Sequence, residues 1–231
     1  MQLVTNKYFT IMKLTKSLLT SLLLFFFILG SSFLSAQELK PVKLPPPRTD
    51  GGKPLMQVLK ERSSSRSFRS DTIPVQVMSD LLWAAWGINR PESGRRTAPS
   101  ASNRQEIDIY VVTAKGVYIY DAVGHSLNPV IADDIRALTG TQPYVGDAPI
   151  NLVYVADFSK MGGADDNQKY GTSSANTGFI SENVYLYCAS EGLATVVRGS
   201  VDKPALEAAM KLRPEQKIVL AQTVGYPKPG E

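Results

Sequence analysis

The 231-residue chain carries 25 basic and 21 acidic side chains, one cysteine and one histidine. A single Cys188 excludes an internal disulfide, and one Cys with one His excludes four-ligand zinc sites of the Cys/His type. No basic run alternates with aromatic residues, so nucleic acid is not indicated as a partner.

The first element is a leader. Lys13 and Lys16 precede the apolar run 18–29, and SSFLSA then leads into Gln37. A charged start, an apolar core and a small residue before the cut predict a secretory signal peptide over 1–36, cleaved after Ala36. Its core is short for a span, which needs about 20 residues. Met12 is a second candidate start. The leader holds Lys7, Lys13 and Lys16 and no acid, so its removal takes the formal charge from +4 to +1. The expected location is outside the cytoplasm, periplasmic or secreted, with no membrane attachment after cleavage.

Residues 37–53 are polar and rich in Pro and Gly, which predicts an extended or disordered leader to one domain at 54–231. Pro54 opens a short helix with Leu55, Val58 and Leu59 on one side. ERSSSRSF (61–68) ends it. Residues 74–88 form a helix, with Met78, Leu81, Leu82, Ala85 and Trp86 at helical spacing and Gly87 as its stop. Trp83 and Trp86 read as core or wall residues. EIDIYVVT (106–113) and GVYIYD (116–121) read as strands joined by a tight turn. His125 lies in VGHSLNP, a turn between elements, and reads as a loop residue rather than the base of a Ser-His-Asp triad.

Beyond His125, residues 133–138 read as a helix closing at Gly140 and 148–157 as a buried strand. MGGADDNQKYGTSS (161–174) is long and polar, a candidate lid. Residues 178–193 predict a long apolar helix, with Cys188 as a buried small residue. ATVVRGS is a strand and turn, KPALEAAMKL a helix and KIVLAQTVGYP the last strand. Hairpin strands mixed with helices, without a βαβ repeat, predict the α+β class. Neither a P-loop nor a G-x-G-x-x-G fingerprint is present.

Two segments carry the chemistry, 61–68 and GRRTAPSASNRQEIDIYVV (94–112). Both are rich in Arg and Ser and adjoin hydrophobic elements. Guanidiniums give two-pronged donors and serines short ones, which suits a phosphate and a polyol chain. The same composition also describes two solvated loops.

In this order and spacing, RSSSRSF, LLWAAWGINRP, RRTAPSASNRQEIDIYVV, GVYIYD, NVYLYCASEGLATVVRGSVD and QTVGYP resemble the nitroreductase-like flavoenzyme superfamily, and within it the peptide-azoline dehydrogenase branch. The likeness runs from Pro54 to Pro227. It implies an α+β fold with a central, mostly antiparallel sheet flanked by helices, in an intertwined homodimer with FMN at the subunit interface. Carried over by position, Arg62, Ser63, Ser64 and Arg66 would hold the FMN phosphate. Ser100, Ala101 and Asn103 would line the ribityl chain or ring. Arg198 and Gly199 would present backbone amides to the flavin N5 side, where a donor stabilises charge as the ring is reduced. No catalytic side chain is implied.

The chain departs from the family pattern after the last strand, where only Lys228 is basic, so Arg95 or Arg96 is a candidate helper for the phosphate. Thr177-Gly178 also stands where the family often has an Asp-x-Gly-like signal. The implied activity is two-electron transfer, as hydride, through flavin N5 to or from a small organic or peptide-derived substrate. NAD(P)H is one implied donor. An exported member would need another, or would oxidise its substrate directly as the azoline branch does. A non-catalytic flavin or small-ligand binding protein is the rival reading, and a structural surface module a third. A homodimer is also expected from the helix over 178–193, whose Tyr185, Leu186 and Leu193 would otherwise be exposed.

Overall fold

The computed structural model describes residues 38–163 and 165–229. The segment read as a signal peptide, with its expected cleavage site, lies outside the described residues. In chain order the elements are β1 (Val42–Lys43), α1 (Leu55–Glu61), α2 (Val75–Trp86), β2 (Ile88–Arg90), β3 (Arg95–Arg96), β4 (Ile107–Thr113), β5 (Gly116–Asp121), β6 (Ser126–Ile131), α3 (Tyr144–Asp147), β7 (Ile150–Asp157), α4 (Asp166–Glu191), β8 (Ala194–Arg198), α5 (Lys203–Ala209) and β9 (Gln216–Gly225). Short 3-10 turns lie at Pro91–Ser93, Ala101–Asn103, Arg136–Thr139 and Phe158–Lys160.

Seven strands form one sheet in the order β1-β6-β5-β4-β7-β9-β8, and its pairs are antiparallel. This is the expected α+β architecture, a central antiparallel sheet flanked by helices. All eight residues of β7 are buried, because both faces of the sheet are covered. Alternate residues point opposite ways. Ile109, Val111, Leu152 and Tyr154 pack with Leu81, Leu82 and Trp86 of α2 and with Ile180 and Val184 of α4. Tyr110, Val112, Val153 and Val155 pack on the other side with Leu206 and Met210. Each fully buried Leu, Ile or Val contributes roughly 1.5–3 kcal/mol, so the site is held by a sheet that has little freedom to shift.

Three sequence expectations change. The polar run 161–174 is not a lid, because α4 begins at Asp166 and runs 26 residues. The Asp165 carboxylate caps it by accepting from the Gln168 N–H at 2.9 Å, and Gly192 closes it at φ 69°. Its first buried positions, Ser173, Asn176 and Thr177, are small and polar, so no apolar periodicity announces that half. The tract after His125 is a strand, β6, that contains Pro129. The two residues of β1 pair with Leu127 and Ser126 only, so Pro129 lies on an open edge where no N–H is needed. The expected helix at 133–138 is instead a 3-10 turn at Arg136–Thr139.

Residues 39–53 pack onto the domain in the extended form. The compact unit begins at Leu39. Leu44 is buried, and the Arg48 guanidinium pairs at 2.7 Å with Asp80, which is itself buried.

His125 is a junction rather than a plain loop residue. One ring nitrogen lies 2.7 Å from Ser79 Oγ and 3.1 Å from the Pro45 carbonyl, the other 3.1 Å from the Tyr120 hydroxyl. Ser79 is fully buried, so this Ser–His contact offers no nucleophile to a substrate. Burial lowers the His125 pKa, with nearby Lys43 adding to the fall and Asp80 and the Pro45 carbonyl opposing it. The folded chain therefore binds fewer protons here than the unfolded chain just below the ordinary histidine value of about 6.5. Its contribution to stability is complete above that value and is lost as pH falls through the folded pKa. His125 is the chain's one histidine, so the melting temperature is expected to fall between pH 7 and pH 5, and His125→Asn to flatten that fall. Parallel curves for the two proteins, followed by circular dichroism, would show the assignment to be wrong.

Candidate functional site

The loop after α1 is fixed by backbone contacts. The Ser65 N–H donates to the Thr195 carbonyl of β8 at 3.0 Å, and Phe68 bridges Pro227. Arg62 lies over the Tyr185 ring at 5.2 Å. Ser64 Oγ lies 2.8 Å from the Tyr185 hydroxyl, which accepts from the Val197 N–H at 3.0 Å. Arg66, Ser63 and Ser64 lie toward solvent, and Arg62 is half-buried. Among the described residues no carboxylate lies within 4 Å of either guanidinium. Ser63, Ser65, Tyr185 and Thr195 line a cleft of about 260 Å³ beside this loop. The C-terminal segment that carries Lys228 runs past it, held where the Arg69 N–H donates to the Tyr226 carbonyl.

The second loop is strained. Ser102, Asn103 and Gln105 have φ of 54°, 53° and 50°, a left-handed region costly for residues with a Cβ. Such strain persists only where surroundings over-determine it, and it concentrates at functional sites. Here Gln105 does the holding. Its N–H donates to Ser100 Oγ, its amide nitrogen to Gly94 O and Asn103 Oδ1, and its amide oxygen accepts from Arg96 Nε at 2.7 Å. The Ala101 N–H donates to Asn176 Oδ1 of α4, whose amide nitrogen donates to the buried Glu106 carboxylate at 2.7 Å. Ser100 and Asn103 line a cleft of about 410 Å³ with Arg90, Arg95 and Arg96. Sequence reading misses Gln105, Glu106 and Asn176, because a polar residue that orients a neighbour has no motif of its own.

At the end of β8 the Arg198 side chain turns inward. It is 7 % exposed. Its guanidinium donates to Thr223 Oγ1, Asn151 Oδ1, Thr139 Oγ1 and the Thr139 carbonyl. Burial without a carboxylate pushes its pKa down to about 10. The side chain thus serves the fold, and only backbone groups of the turn at 198–200 remain for a ligand. Gly199 and Ser200 are exposed. Among the described residues neither N–H has a backbone acceptor, although both carbonyls are bonded. Two such N–H groups on an exposed turn suit a group that gains negative charge.

Both loops meet α4, at opposite borders of its buried arc. Tyr185 touches the first and Asn176 the second. Nine residues separate them, about half a turn in projection and roughly 14 Å along the axis. Between these borders the helix exposes Gly171, Ala175, Gly178, Phe179 and Glu182. Tyr185 and Leu193, expected on the exposed face, are buried within the chain at 6 % and 9 % exposure; the large apolar group left outside is Phe179 at 50 %. Among the described residues the two clefts share no lining residue. Among the same residues no cluster of His, Cys, Asp and Glu could hold a metal.

Residues 59–226 match the nitroreductase family model. A protein of Methanocaldococcus jannaschii described as a nitroreductase is 28% identical over 169 residues, 69% of this chain and 85% of that protein. A crystal structure from Ralstonia eutropha JMP134, also described as a nitroreductase, is 41% identical with a TM-score of 0.79, over 83% of this chain and 91% of the other. The Escherichia coli microcin synthetase McbBCD complex, solved with truncated pro-MccB17, shares the fold at 21% identity and a TM-score of 0.64, over 85% of this chain and 82% of that one. Nitroreductase family proteins generally bind flavin. The chain belongs to the nitroreductase family and is an oxidoreductase of that type.

Proposed function

We propose that the protein is an FMN-dependent oxidoreductase that works as a homodimer. The observation that carries this reading is the placement of two ligand-suited loops across one helix, with guanidiniums that lack a carboxylate partner on one and backbone strain on the other. One chain does not bring them together. A second copy docked on the exposed face of α4 would set the 62–66 loop of one chain against the 100–103 loop of the other. Gly171 and Gly178 fit such a docking, since a Cβ at either would meet nothing within 4 Å among the described residues. Glycine inside a helix costs about 1 kcal/mol relative to alanine, and no intrachain contact explains these two.

The residues present fit FMN. Arg62, Ser63, Ser64 and Arg66 would bind its phosphate. Ser100, Ala101 and Asn103 would orient the ribityl chain or ring. The N–H groups at Gly199 and Ser200 would hold charge at the N5 edge. FMN supplies two-electron chemistry when bound. Gln105 keeps the second loop in its strained form, and Asn176 anchors it to α4. The substrate is read as a small organic molecule that the flavin reduces or a peptide-derived ring that it oxidises, the latter favoured by the fold shared with a synthetase complex that holds a propeptide. The export signal read over 1–36 supports a reaction outside the cytoplasm, and N-terminal sequencing of the secreted protein checks it.

Purified residues 37–231 should be yellow, bleach under dithionite and recover with an acceptor. Acid-released flavin should run as FMN. FAD alone, or no flavin after reconstitution, would overturn the reading, and flavin that cannot be cycled would favour the non-catalytic binder. Arg62→Ala and Arg66→Ala should each weaken FMN retention about ten- to a hundredfold, the effect of one charge-assisted hydrogen bond. Neither guanidinium is buried, so the melting temperature of the flavin-free chain should stay within the usual range for surface changes. Equal FMN occupancy in variant and parent would make the loop a solvated turn.

A further inference from the structure

We infer that the cleft lined by Arg90, Arg95 and Arg96 is a substrate-anion subsite, which selects substrates carrying a carboxylate next to the reacting group. The inference rests on the flavin reading of the adjoining 100–103 loop but draws on different residues. β2 and β3 form a hairpin in which Arg90 and Arg95 stand directly opposite one another. Like charges directly opposite on a hairpin are destabilising. The pair is not relieved by any described residue. Among the described residues no carboxylate lies within 4 Å of Arg90, Arg95 or Arg96, and none lines the cleft. Glu92, at the hairpin tip, is no exception.

The third arginine is built in. Arg96 stacks on Trp86 at 4.8 Å, donates through Nε to Gln105 and through one terminal nitrogen to the Trp86 carbonyl. Arg90 donates to the Arg96 carbonyl at 2.7 Å. Arg96 is therefore held in one orientation, with no acceptor for its other terminal nitrogen among the described residues. Desolvation lowers its pKa, and only the more distant Asp108, Asp121 and Tyr120 oppose this. A desolvated guanidinium without a counter-charge gains most from an anion that reaches it. Ser100 and Asn103 line the same cleft, so a carboxylate bound there lies beside the loop read as contacting the flavin, and a substrate ring attached to it would be carried to that loop. A carboxylate fits the two-pronged geometry of a guanidinium.

The test is calorimetric titration of the flavin-loaded dimer with benzoate and with benzamide, probes of equal shape that differ in charge. Benzoate should bind at least about tenfold more tightly, as expected for one charge-assisted contact. Arg90→Ala and Arg95→Ala, both at exposed positions, should each reduce that preference by about the same factor, with flavin content unchanged and the melting temperature unchanged or slightly raised as the like-charge pair is removed. Added salt should weaken benzoate and leave benzamide unaffected. Equal affinity for the two probes would overturn the subsite, as would a preference that survives the double variant. Loss of FMN from either variant would also overturn it, because the arginines would then serve the cofactor phosphate. A colourless protein would instead defeat the flavin reading. Benzoate titration of that colourless chain would still report on the cleft by itself.

Discussion

On the proposed homodimer reading, Gly178→Arg is expected to give a colourless, folded monomer in place of a yellow dimer. Gly178 lies on the exposed face of α4, and a Cβ there meets no atom within 4 Å among the described residues. Within the monomer the substitution is therefore free of clash, and replacing a helical glycine should stabilise the helix by up to about 1 kcal/mol. At a close helix-to-helix contact the same change is severe, because a guanidinium would have to be buried against a surface of Gly171, Ala175 and Phe179 with no carboxylate but the exposed Glu182 beside it. Dimer and flavin should be lost together, since each stabilises the other by mass action. Light scattering should fall from about twice the chain mass to one chain, flavin absorbance should vanish after gel filtration, and the far-ultraviolet circular dichroism should persist. Gly178→Ala should show a weaker form of the same loss. A Gly178→Arg variant that stays dimeric and yellow would place the interface elsewhere, and a yellow monomer would show that one chain builds the site.

Apolar patterning makes the sheet and α2 legible in the sequence. The alternating or continuous runs at 106–113, 116–121 and 148–157 are strands because their side chains fill both faces of the sheet, and burial of that kind leaves a periodic trace. Helix α4 is only half legible. Its C-terminal turns carry Ile180, Val184 and Cys188, whereas its N-terminal turns bury Ser173, Asn176 and Thr177, which look like loop residues until the capping Asp165 is noticed. The two arginine- and serine-rich segments stand out by composition. Their placement at opposite borders of α4 does not, because it depends on how α4 is rotated against β8 and β4. Nor does the sequence reveal that the Arg198 side chain is a core group. Arg198 sits beside a glycine turn that reads as functional, and only the register of β8 against β9 sends its side chain inward.

That inward guanidinium gives the largest expected effect on stability. Asn151, fully buried in β7, is the hub of the cage around Arg198. Its Oδ1 accepts from Arg198 at 2.8 Å and from Thr223 Oγ1 at 2.6 Å, and its Nδ2 donates to the Val145 carbonyl at 2.8 Å. The packing is tight enough that a Cβ at Gly140 would sit 2.4 Å from Arg198 Nε, so little water can enter to repair a lost contact. Asn151→Leu keeps the volume and removes all three bonds, leaving a buried cation short of an acceptor. The cost should be about 3–5 kcal/mol, which for a domain of this size lowers the melting temperature by roughly 6–20 °C. Arg198→Met should cost clearly less, because it removes the charge itself and leaves Asn151 and Thr223 bonded to each other. Breaking a buried charged network by deleting its acceptor is generally worse than replacing the charge with an apolar chain. Thermal unfolding of the flavin-free variants separates the two effects from any role in ligand binding. If Arg198→Met proves the more damaging, Arg198 is held by something stronger than this cage of neutral acceptors, and burial has not weakened its charge as the lowered pKa implies.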